Sequence, residues 1–250
     1  MSYKCLITQF DGPVVIITLD RPEVLNALNE QLYREMDYIL DEVEKDDSIK
    51  VVIVTGGDGR AFSSGADIHE MASEQNSLDD NEKAGLVWRI ACFPKPTIGA
   101  INGIAYGGGA LLASSMDIRV GCEKTVFKFL AASYGRVNST WSLPLQVGWP
   151  VAKELLMTAR EVDSEEANRI GLLNHIVTSD YLMSKSLQIA KQIANNDPRI
   201  IKGIKNLMLE NIGSSWSQMY QREIDSRTGD LAPTPFAEAF KDFLDKKGRK

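Results

Sequence analysis

Two glycine-bearing stretches are the parts of this sequence best suited to chemistry. They are Phe62-Ser63-Ser64-Gly65-Ala66-Asp67-Ile68 and Asn102-Gly103-Ile104-Ala105-Tyr106-Gly107-Gly108-Gly109-Ala110, each just after or near an apolar run that reads as a strand. Small residues leave backbone N–H groups bare, and bare N–H groups bind anions or developing negative charge. A dinucleotide turn requires G-x-G-x-x-G after a strand. The run from Gly107 reads G-G-G-A-L-L, with Leu112 where the third glycine belongs. Neither stretch ends in Gly-Lys-Ser/Thr, which excludes a P-loop for phosphate. Taken alone, such glycines are equally explained by tight turns and close helix packing.

Few other side chains stand out. His69 follows the first stretch closely, and an imidazole titrates near neutrality, which suits proton transfer; its bland alternative is surface decoration. His175 lies in the short run His175-Ile176-Val177 and reads as structural. The three cysteines Cys5, Cys92 and Cys122 are scattered without C-x-x-C spacing, so neither a disulfide framework nor a metal site is expected, and a reducing, cytoplasmic setting fits. With 28 Lys+Arg against 34 Asp+Glu the net charge is −6 and no basic stripe appears, so nucleic acid is not an expected partner.

The elements that must carry these stretches can be read from periodicity. Cys5 to Phe10 and Val14 to Leu19, separated by Asp11-Gly12-Pro13, predict a hairpin. Asn29 to Val43 places Leu32, Met36, Ile39, Leu40 and Val43 at helical spacing, with Asn26 or Asn29 as cap. Val51 to Val54 is an unbroken apolar run, as in a strand covered on both faces; Thr97 to Ile101 and Ile118 to Val120 look similar. With a helix over Gly107 to Ser115 between them, the alternation predicts an α/β core. Asp117 is expected to fix a strand turn. Downstream of Pro144 the pattern becomes mainly helical and reads as an appendage, under which Trp141 and Trp149 would pack. Ala72 to Lys83 is polar enough to be a surface loop. At 250 residues, 44% hydrophobic and 25% charged, the chain can bury a sizeable core. It holds no run of the ~20 apolar residues that a membrane span requires, and its start reads as that of a mature chain.

At this point the sequence resembles the crotonase (enoyl-CoA hydratase/isomerase) superfamily. Arg21-Pro22-Glu23-Val24-Leu25-Asn26-Ala27-Leu28 is similar to its opening signature, Phe62 to Ile68 to its first oxyanion segment, Phe93-Pro94-Lys95-Pro96 through Gly109 to its second, and Gly171 to Val177 to a later structural motif. The resemblance implies an α/β fold of stacked ββα units over residues 1–190 and a helical trimerisation region over 191–250, giving a homotrimer or a dimer of trimers. It implies a coenzyme A thioester as substrate and no separate cofactor. The backbone N–H groups of Ala66 and Gly108 would then polarise the thioester carbonyl, with the CoA arm along Val24, Ala27, Ser64, Asp67 and Ile68.

The chain departs from the hydratase pattern at the two positions where the resemblance calls for glutamates: Leu111 stands at one and Ala131 at the other. General acid–base groups contribute about 10²–10⁴-fold, so ordinary hydration is carried only as a weakened alternative. Three readings remain. An acyl-CoA lyase or isomerase would draw its proton from His69, Glu70, Tyr134 or the Ala72 to Lys83 loop. A decarboxylase acting on a carboxyacyl-CoA would need only the oxyanion hole, with Arg136, Lys128 or Asn138 attracting the anion. A binder or structural subunit would not turn over at all.

Overall fold

The expected opening hairpin is present: β1 (Leu6–Asp11) pairs antiparallel with β2 (Val14–Leu19), from Leu6 opposite Leu19 to Asp11 opposite Val14. The structure is a computed structural model that describes residues 3–72, 80–241 and 243–244, without the side chains of 80–84. α1 (Glu30–Lys45) starts where Asn29 accepts a hydrogen bond from the Leu32 amide, and it buries Leu32, Met36, Ile39, Leu40 and Val43. Then come β3 (Val51–Thr55), β4 (Ala61–Ser63), α2 (Ile68–Met71), α3 (Asp80–Ala91), β5 (Thr97–Ile101), β6 (Ile104–Tyr106), α4 (Gly108–Ser115), β7 (Ile118–Cys122) and β8 (Val126–Lys128). They are followed by α5 (Leu143–Val147), α6 (Trp149–Thr158), β9 (Glu161–Asp163), α7 (Ser164–Arg169), β10 (His175–Val177) and α8 (Leu182–Ala194). α9 (Pro198–Glu210), α10 (Trp216–Asp225) and α11 (Phe236–Ala239) complete the described elements.

The strands build two sheets in an α/β fold. The larger has the order β1-β2-β3-β5-β7-β10 and is parallel from β2 onward. Both faces of its central strands β3 and β5 are buried, which is why β3 reads as an unbroken apolar run. Val52 and Val54 face the main core with Leu32, Met36 and Phe62, while Val51 and Ile53 face a second cluster with Ile98, Ala100, Leu182, Ile189 and Ala190. The smaller sheet has the order β4-β6-β8-β9, parallel except for β9. It was not legible from periodicity, because each of its strands is three residues long.

The chain divides into two compact units, Met1–Asn196 and Asp197–Lys250. The helices after Pro144 are therefore not all appendage. α5 to α8 belong to the first unit, and α8, which the boundary expected at 190/191 would cut, lies against the larger sheet. Asp117 ties the starts of β5 and β7 together rather than closing a local turn, its carboxylate accepting from the Thr97 amide at 2.8 Å and the Thr97 hydroxyl at 3.0 Å. The tryptophan expectation is corrected: Trp141 and Trp149 are 45% and 65% exposed. The polar stretch expected as a loop runs into α3 at Asp80, and its residues 73–79 lie outside the described ones. Among the described residues no helix is long and apolar enough to cross a membrane.

Candidate active site

β4 and β6 are parallel neighbours, with Ala61 opposite Ile104 and Ser63 opposite Ala105. The chain therefore leaves both strands at the same edge, the carboxyl ends where open α/β sheets bind ligands. Ala66 lies just past the end of β4, and Gly108 opens α4 just past β6. A Cβ on Gly65 would stand 3.0 Å from the Gly108 amide nitrogen and 2.7 Å from the Tyr106 carbonyl, and the backbone there has φ +98. A Cβ on Gly109 would lie 2.3 Å from the Ser63 carbonyl oxygen. Only glycine lets the two loops press together this closely.

Among the described residues neither amide is claimed by a backbone acceptor. Leu28 forms a parallel bridge with Ala66, donating to the Gly65 carbonyl at 2.7 Å and accepting from the Asp67 amide at 3.0 Å. That pattern turns the Ala66 N–H away from Leu28. The Gly108 N–H belongs to the first turn of α4 and has no partner within the helix. Two unpaired N–H dipoles, half-buried and side by side, can stabilise an oxygen that gains negative charge without having to reorganise.

A buried polar network holds this geometry. Asn26 donates to the Gly56 and Ala61 carbonyls and accepts from the Arg21 amide, while the Ser63 hydroxyl donates to the Asn26 carbonyl at 2.8 Å and accepts from the Gly65 amide. Arg21 reaches Asp67 at 2.9 Å and also donates to the Ala27 carbonyl. Burial works to raise the Asp67 carboxyl, but hydrogen bonds from Arg21 and from the Glu70 and His69 amides outweigh it and hold the group below its ordinary value.

The remaining sequence candidates fall in different places. Val24 and Ile68 are exposed, and the Ser64 hydroxyl donates to the Val24 carbonyl. Ala27 is buried, and the Asp67 carboxylate is engaged by Arg21 and the start of α2. His69 is exposed on α2. Glu70 accepts from the Glu30 amide at 2.6 Å, and Lys128 pairs with Glu161, which also accepts from the Tyr106 hydroxyl; both have structural employment. Tyr134 is exposed. Leu111 packs against the core one turn along α4.

Sequence reasoning missed a cavity of about 300 Å³ between the segment from Ala131 to Pro144 and α6. Ala131, Arg136, Asn138, Trp149, Lys153 and Met157 are among its lining residues. Its lining includes Ala131, next in the chain to Leu130, whose Cδ1 would lie 3.7 Å from a Cβ on Gly107. Helical periodicity marks α6 but not which of its residues face a cavity, so Lys153 and Trp149 carried no signal.

Fold and site together define an α/β protein with a paired backbone-amide site at the carboxyl ends of parallel strands. Residues 9–247 match the model of the enoyl-CoA hydratase/isomerase family. The chain is 37% identical over 210 residues to the short-chain-enoyl-CoA hydratase of Clostridium acetobutylicum, covering 81% of this chain and 80% of that relative. Among solved structures it superposes with a TM-score of 0.89 on an enoyl-CoA hydratase from Bacillus anthracis, at 27% identity over 97% of each chain. A monofunctional enoyl CoA isomerase from M. smegmatis gives 0.75 at 27% identity, over 87% of this chain and 98% of that one. The chain belongs to the enoyl-CoA hydratase/isomerase family, the crotonase superfamily of acyl-CoA-processing proteins.

Proposed function

We propose that the chain is an enzyme that seats a coenzyme A thioester with its carbonyl oxygen between the N–H groups of Ala66 and Gly108 and stabilises the enolate formed there. The observation carrying this reading is the pair of unclaimed amides at adjacent strand ends. Each such donor contributes about 2.7–4 kcal/mol to a developing oxyanion. The CoA arm runs along Val24, Ser64 and Ile68. Leu111 and Ala131 occupy the positions of the hydratase glutamates, so hydration by a carboxylate pair is not this chain's main reaction; isomerisation or lyase chemistry is, with His69 or solvent exchanging the proton.

Decarboxylation is the second reading, favoured by the cavity that Arg136 and Lys153 line with no acidic residue among the described ones. The bond from the α-carbon to the carboxylate breaks, its electron pair enters the thioester as an enolate held by the two amides, carbon dioxide leaves, and the α-carbon takes a proton from water. Assembly as a trimer or dimer of trimers accords with the exposed Ile204, Met208, Ile212, Trp216 and Tyr220 of the second unit.

The test is to present purified protein with enoyl-, 3-hydroxyacyl- and carboxyacyl-CoA thioesters and measure binding and product together. A carbonyl-labelled thioester should show a lowered C=O stretching frequency when bound. His69→Ala separates the proton sources: a loss of about 10²-fold or more in kcat assigns the imidazole, and retained turnover assigns solvent. Tight binding without any product would make the chain a binder.

A further inference from the structure

The protein carries a net charge of −6, yet none of the twelve described residues lining the cavity is acidic, and two, Arg136 and Lys153, are cationic. The rest of the wall is largely apolar, including Trp149, Leu156 and Met157. Within it the Asn138 side-chain oxygen is buried and has no hydrogen-bond partner among the described residues. Buried polar atoms are rarely left unpaired unless a ligand or water completes them. An amide that the protein does not hold by that oxygen can turn over and present its N–H groups instead. Lys153, on α6, has no ion-pair partner among the described residues.

We propose that this cavity receives the far end of the acyl chain and that this end is a carboxylate, so that the preferred ligands are CoA thioesters of dicarboxylic acids. The proposal rests on the reading of Ala66 and Gly108 as the thioester hole. The apolar wall accommodates the methylene chain, Lys153 and Arg136 supply the charge, and Asn138 supplies a neutral donor. An acidic side chain at residue 131, which lines the same cavity, would repel such a tail; Ala131 does not.

The experiment compares affinities by calorimetry for two matched pairs, glutaryl-CoA with pentanoyl-CoA and adipyl-CoA with hexanoyl-CoA. Each pair shares the CoA phosphates and chain length, so its affinity ratio isolates the terminal carboxylate. The expected ratio favours the dicarboxylic thioester by about tenfold or more in at least one pair, the order of a charge-assisted hydrogen bond. It should fall toward one in Lys153→Gln and invert in Lys153→Glu. Equal or weaker binding of both dicarboxylic thioesters overturns the proposal while leaving the thioester hole intact, as does a ratio unchanged in the Lys153→Gln, Arg136→Gln double variant. Failure of all four thioesters to bind removes the thioester reading itself.

Discussion

A Cβ placed on Gly108 would lie 3.4 Å from the amide nitrogen of Ala66 and 3.3 Å from Leu28 Cδ1. These two residues are 42 apart in the chain, yet a methyl group on one reaches the space in front of the other's N–H.

Gly108→Ala therefore puts a methyl beside the proposed oxyanion position without forbidding the fold, since Gly108 is not among the residues with positive φ and only the tip of Leu28 must give. Turnover of the preferred thioester should fall by about 10²–10³-fold, as when an oxyanion donor is lost. Urea unfolding should show a midpoint near that of the parent.

Gly65→Ala is expected to act on stability instead. Its φ of +98 and the 2.7 Å approach of a Cβ to the Tyr106 carbonyl leave no relaxed position for the methyl. The backbone strain alone costs about 1–3 kcal/mol. Gly12→Ala is the comparison: φ is +57, but nothing lies within 4 Å of its Cβ, so the loss should be about 1–2 kcal/mol. Equilibrium urea unfolding of the two variants measures the difference.

Removal of the Asn26 side chain should loosen the whole site. Asn26→Ala strands the Gly56 carbonyl and the Arg21 amide, while the Ala61 carbonyl keeps its second donor, Asn102. The expected loss is about 2–4 kcal/mol. Thioester affinity should fall as well, because the 21–28 segment that braces Ala66 through Leu28 loses its anchor.

Acid should weaken the Arg21–Asp67 pair in a defined direction. The Asp67 carboxyl sits below its ordinary value in the folded chain, burial opposing the shift and the Arg21 and backbone hydrogen bonds driving it. Its contribution to stability is thus complete above the ordinary carboxylate pKa of about 4 and is lost as pH falls through the lower folded value. Asp67→Asn should be less stable than the parent at pH 7, and the two melting curves should begin to approach as pH falls below about 4 and meet only below the lower folded value.

Much of the larger sheet was readable because its cues are local. Val51 to Thr55 and Thr97 to Ile101 are long and apolar enough to declare themselves, and Asn29 caps α1. Glu70 and Lys128 looked free to do chemistry until their partners, Glu30 and Glu161, came into view across distant segments. Nothing near Trp149 in the sequence indicates that it faces outward into a cavity rather than inward.

The amino-acid order by itself determined which segments become strands and helices of the larger sheet and where side chains small enough to bare the backbone occur, because periodicity, capping and the absence of a Cβ act over a few residues. Tertiary structure alone decided that β4 and β6 lie side by side, that the amides of Ala66 and Gly108 therefore meet, and that Arg136, Asn138 and Lys153 share one cavity. Three-residue strands are stable only when neighbours complete their hydrogen bonds, and the contacts that do so join residues dozens of positions apart, beyond the reach of any local pattern.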